Sequence, residues 1–170
     1  MTDLIPQDKS ITPPNKFVIG EREIVLETMC AYKVSTILAL VTRVSDELQL
    51  PTLLMPMMGL SRSGSDEEAV KLAASLLPKL FTVAPEALVR ATATAIVSNA
   101  DLEKLFKQPG AIAARVEEDM AWLWMHATAD QICDLASACL PLMGLDALKN
   151  ALARLTTTAT ATLGISLSQG

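Results

Sequence analysis

The stretch Phe17 to Leu48, FVIGEREIVLETMCAYKVSTILALVTRVSDEL, decides the fold. Phe17-Val18-Ile19 reads as a short strand, and Gly20-Glu21 is a Gly-X pair of the kind that closes a two-residue hairpin. Arg22 to Met29 is the return strand. Ile24 and Leu26 alternate with Glu23, Val25 and Glu27, so one face is oily and the other partly charged. A helix follows from about Ala31 to Leu48. Its stripe is Val34, Ile37, Val41, Val44 and Leu48, widened by Leu38. Lys33, Thr36, Arg43 and Glu47 are assigned to the opposite, solvated side. A two-stranded hairpin is marginal alone. Its free edge is expected either to pack on helices or to pair with another chain, and Ile24 and Leu26 are candidate contact residues.

Downstream, the pattern is helix after helix. Ser65-x-x-Glu68 reads as a capping box, followed by Val70, Ala73, Leu76, Leu77 and Leu80. Pro78 predicts a stop or kink near Leu77. Pro85 suits the first turn of another helix, with Leu88, Thr92, Ala95 and Ile96 inward. The small residues Ala91 to Ala95 let a neighbouring helix come close. Ser98-Asn99 opens a short helix to Phe106, with Leu102, Leu105 and Phe106 as its apolar side. Ala111 to His126 carries a stripe of Ile112, Val116, Met120 and Leu123. Thr128-x-x-Gln131 is a second capping box, and Gly144 is a C-terminal stop. Leu145, Leu148, Ala151, Leu152 and Leu155 make a last helix. The expected fold is mainly α: an N-terminal β-hairpin followed by a bundle of about six or seven short helices.

The flanks read differently. Residues 1–16 are polar and Pro-rich, a flexible leader, and residues 156–170 are rich in Thr and Ala, a flexible tail. Between them, residues 17–155 form one helical domain. With 170 residues, 51% of them hydrophobic but only 4% aromatic, the core must be aliphatic. The net charge of −5, with no run of Lys or Arg, argues against a general nucleic-acid binder. The start lacks the apolar core of a signal peptide. The longest apolar stretches, Leu48–Leu60 and Ile132–Leu145, are short for a bilayer and carry Pro. The expected location is the cytoplasm, with no membrane partner.

Chemistry is sparse. His126 is the only histidine, so a triad or a two-His metal site within one chain is excluded. Glu117, Glu118 and Asp119 are consecutive on a helix and diverge by about 100° each, so they read as a solvated face rather than a convergent pair. Cys30, Cys133 and Cys139 match no zinc or disulfide spacing and read as small buried hydrophobes. P-loop, G-x-G-x-x-G and G-x-S-x-G motifs are absent. No catalytic residue, cofactor or metal is expected, and an enzyme is the least favoured class. The candidate contact residues for a protein partner are Met55, Met57 and Met58, in a segment that reads more readily as a short buried connector, and Trp122 and Trp124. The two tryptophans fall on nearly opposite helix faces, one core and one partly exposed, and the sequence leaves open which.

The segment from Lys16 to Lys33, KFVIGEREIVLETMCAYK, resembles the opening of the tail assembly chaperones of tailed bacteriophages. There a hairpin of the form apolar-x-apolar-Gly-x-x-apolar leads into a helix whose start is similar to Ala31-Tyr32-Lys33. Residues 128–155 also resemble the helical pairs of phage tail accessory proteins. The resemblance implies a non-enzymatic protein of the host cytoplasm that binds the tape measure protein and recruits tail tube subunits. The alternatives are a structural protein of the tail or baseplate, or a helical adaptor for a bacterial host protein. Homo-oligomerisation stays open.

Overall fold

The computed structural model describes residues 15–48 and 66–144. Strand β1 (Lys16–Ile19) pairs antiparallel with β2 (Arg22–Val25), in the register Phe17 to Ile24 and Ile19 to Arg22. Gly20-Glu21 is the two-residue loop. Gly20 has φ +59°, the left-handed conformation that primed hairpin turns need at their first central residue. Phe17, Ile19, Arg22 and Ile24 therefore share the inner face, while Lys16, Val18, Glu23 and Val25 face out.

Six α-helices follow among the described residues: α1 (Ala31–Leu48), α2 (Asp66–Val83), α3 (Pro85–Ile96), α4 (Asn99–Leu105), α5 (Ala111–His126) and α6 (Ala129–Cys139). A 3-10 turn, Leu140–Met143, closes the described chain at Gly144. The mainly α architecture with an N-terminal hairpin is thus as expected. The caps explain several boundaries. Ser98 accepts from the Asp101 amide to open α4. Thr128 and Gln131 make both bonds of a capping box at α6. Pro85 sits in the first turn of α3.

Helix α3 is the centre of the bundle, not α1. It packs against α1, α2, α5 and α6. Every residue from Thr92 to Val97 is buried. The run of Ala and Thr keeps its girth small, so four neighbours can approach it. Buried Thr92 and Thr94 donate their hydroxyls to the carbonyls of Leu88 and Arg90, four residues back, so neither is left unsatisfied. Ile19, Ile24 and Leu26 from the hairpin, Ile37 from α1, Val116 and Leu123 from α5, and Ile132 and Leu135 from α6 complete one core.

Several expectations are corrected. Of the stop or kink expected near Leu77, the stop is overturned: helix α2 continues through Pro78 to Val83. An interior proline costs roughly 3 kcal/mol in an isolated helix. Here the ring lies on the exposed side, and the helix is held by packing on α3 and α6. Lys33 is not solvated but 1% exposed. Asp119 is not on a solvated face but 2% exposed. Both lie on the apolar stripe by helical spacing: Lys33 is four before Ile37, and Asp119 is three after Val116 and four before Leu123. Phe106, expected on the apolar side, is largely exposed, meeting Tyr32 edge-on at 5.1 Å. The expected leader ends earlier than residue 16: Lys16 opens β1, and the Asn15 carbonyl accepts from the Leu26 amide. Residues 1–14 of that leader, Ser65, residues 49–64, the expected helix at 145–155 and the expected tail at 156–170 lie outside the described residues.

Candidate functional site

The chemistry-bearing side chains gather on two junctions and one surface. At the first junction, β2 meets α5. Arg22 Nη1 donates to Asp119 Oδ1 at 2.6 Å, and Arg115 Nε donates to Asp119 Oδ2 at 2.9 Å. Both carboxylate oxygens are engaged, which is what makes burial of the charge tolerable. The hydrogen bond to Asp119 holds the Arg115 guanidinium above its ordinary pKa. The Arg22 guanidinium also lies over the Trp122 ring, 4.8 Å from its centroid, and His126 packs on the same ring at 5.6 Å. This array fixes the hairpin to the helical body.

At the second junction, the link between β2 and α1 is tied to two elements, and the first turn of α1 to a third. Glu27 accepts from the Asn99 amide at the start of α4, and the Thr28 carbonyl accepts from Asn99 Nδ2. The Met29 amide donates to the Leu142 carbonyl in the 3-10 turn. Lys33 Nζ donates to the Ala95 carbonyl at 3.1 Å. That carbonyl is in the last turn of α3, which has no basic residue of its own. Lys33 thus supplies the positive charge that a helix C-terminus favours. Burial pushes the Lys33 pKa down, against the opposing influence of Cys30, Glu27 and Cys139. Burial pushes the Cys139 thiol up to about 12, with Lys33 acting the other way. Cys133 is raised too, first by burial and then by Asp130 and Asp134. These thiols are poor nucleophiles.

The surface lies where Phe81 of α2 reaches Trp124 of α5. Trp124 is 46% exposed and tilts against Phe81 at 6.2 Å between ring centroids. Val83 at the end of α2 and Met125 beside Trp124 are also exposed. One turn and more towards the start of α5, Glu117 pairs with Arg90 at 2.5 Å, and Arg90 reaches Glu86 at 3.7 Å, bracing α3 on α5.

Of the residues singled out from sequence, Trp122 is the half-buried one, occupied by Arg22, and Trp124 is the exposed one. Ile24 and Leu26 are buried in the core, so neither side chain is open to a partner in this conformation. The oily face of the hairpin lies on the helices and the core claims it. Met55, Met57 and Met58 lie outside the described residues. Sequence reasoning misses Lys33 and Asp119 as tertiary tethers, although their helical spacing places both on buried stripes. Among the described residues, no group of three His, Cys, Asp or Glu side chains is placed to hold a metal ion. No helix there is long and apolar enough to cross a membrane. No family model matches the chain, and neither a curated protein nor a solved structure matches it.

Proposed function

We propose that this chain is a non-enzymatic, protein-binding helical protein that acts as a tail assembly chaperone, holding the tape measure protein of a tailed phage in the cytoplasm of the infected cell and meeting tail tube subunits there. The observation that carries the proposal is the exposed pair Trp124 and Met125, with Phe81 against the indole. A large aromatic and a flexible thioether are the side chains best suited to anchoring and adapting to an amphipathic helix. Two further features support it. The hairpin and helix of residues 16–48 have the order that the resembling segment implies. The net charge of −5 suits a protein that must stay soluble while bound to a long, aggregation-prone partner.

The test is co-expression with the tape measure protein encoded in the same genome. The expected result is a soluble complex that co-purifies, lost when Trp124→Ala and Met125→Ala are combined. A tape measure protein equally soluble without this chain, and no co-purification, would sink the proposal. Mass spectrometry of purified particles separates a chaperone, which leaves, from a structural tail protein, which stays.

A further inference from the structure

The outer face of the hairpin is a small square. Lys16 sits opposite Val25, and Val18 sits opposite Glu23. One diagonal therefore carries the two charges and the other the two valines. Lys16 Nζ lies 3.2 Å from Glu23 Oε1, with both side chains more than half exposed. Val18 is 65% and Val25 45% exposed. β-Branched side chains on a solvated sheet face leave apolar area in water, and the inner face of this hairpin is already used by the core.

This pattern is self-complementary. Turn a second copy about a two-fold axis that runs along the Val18–Val25 diagonal, and lay it face to face on the first. Each Val18 then meets the other Val18, each Val25 the other Val25, and each Lys16 the other copy's Glu23. The four charges alternate in sign around the two pairs of valines. About the other diagonal, lysine would face lysine, and that arrangement is repulsive. We propose that the outer hairpin face is an isologous contact with a second copy of this chain, in the first of these two orientations. The face holds four side chains, well short of the roughly 800 Å² per partner of a stable interface. The association is accordingly weak, concentration-dependent and sensitive to salt. It uses neither Trp124 nor Met125, so it is independent of the surface assigned to the tape measure protein.

Sedimentation velocity on the full chain at low salt, over a concentration series, tests this. The wild type is expected to move from the mass of one chain towards two as concentration rises, and the shift is expected to shrink in high salt. Lys16→Glu and Glu23→Lys each place like charges opposite one another and are expected to stay monomeric. Mixed in equal amounts, the two variants bring opposite charges face to face at both charged corners, and the dimer is expected to return. Both positions are exposed, so each variant loses only the weak Lys16–Glu23 pair of its own hairpin, and cooperative thermal melts close to the wild type exclude misfolding as the cause. A wild type that stays monomeric throughout overturns the proposal. So do single variants that dimerise like the wild type, or a mixture that fails to recover the dimer.

Discussion

Lys33 Nζ and the Ala95 carbonyl, 3.1 Å apart, join the first helix to the end of the central one. The bond supplies a cation to a helix terminus that lacks one. It also leaves an ammonium group with 1% of its surface in water. Capping favours the charged form and burial disfavours it, and burial prevails, because the Lys33 pKa lies below 10.5.

That balance gives a pH dependence. Between the lowered folded value and 10.5, the unfolded chain binds more protons at Lys33 than the folded chain. Stability contributed by this group therefore rises with pH across that window, and below it the burial penalty is present in full. Lys33→Met removes the titrating group while keeping most of the volume. Urea midpoints measured at a series of alkaline pH values should lose this rising component in the variant.

Cys139 works in the opposite direction. Its thiol ionises at 9.0 in the unfolded reference and at about 12 in the fold. Above 9.0 the unfolded chain loses this proton first, so stability falls as pH rises towards 12, by up to about 1.4 kcal/mol per pH unit. Cys139→Ala should flatten that fall in the same urea series, at the cost of a small cavity. A profile falling as steeply in the variant as in the wild type would show that Cys139 is not its source.

Asp119→Asn removes the charge that two arginines share. Breaking a buried ion pair costs about 3–5 kcal/mol. The low end is expected, because Arg22 and Arg115 are each about one-third exposed and can rehydrate. Urea denaturation measures the loss. Since Arg22 also covers Trp122, the variant should change the tryptophan emission of the folded state.

Gly20→Ala tests the turn. An added Cβ would lie 4.0 Å from the nearest His126 atoms, an ordinary contact, so crowding is no obstacle. The left-handed φ of +59° is the obstacle, worth roughly 1–2 kcal/mol for a residue with a side chain. Gly20→Asn should lose less than Gly20→Ala in thermal melts, because asparagine tolerates that conformation better.

Much of the secondary structure was legible from Phe17 outward. The Gly-X turn, the alternation of Ile24 and Leu26, the Thr128 capping box and Pro85 are local signals, and each acts through its own backbone. Pro78 leaves a stop and a kink open in the sequence, and packing on α3 and α6 is what lets the helix continue past it. Trp122 and Trp124 were legible as a divided pair, but their exposure depended on where Arg22 and Phe81 lie in space. Lys33 and Asp119 show the division most clearly. Their charge argues for solvent, and both read as solvated, although each stands three or four residues from a core residue of its own helix. Periodicity is a property of the sequence; the partner that makes burial of a charge tolerable is not. For Lys33 that partner is a carbonyl 62 residues away; Asp119 has one arginine four residues back on its own helix, and its second, Arg22, is 97 residues away. The sequence by itself determined the hairpin and the order of the helices among the described residues, although the return strand ends at Val25 and not at Met29. Only the tertiary structure decided which charges the core admits, because desolvation is offset by groups that folding alone brings within hydrogen-bonding distance.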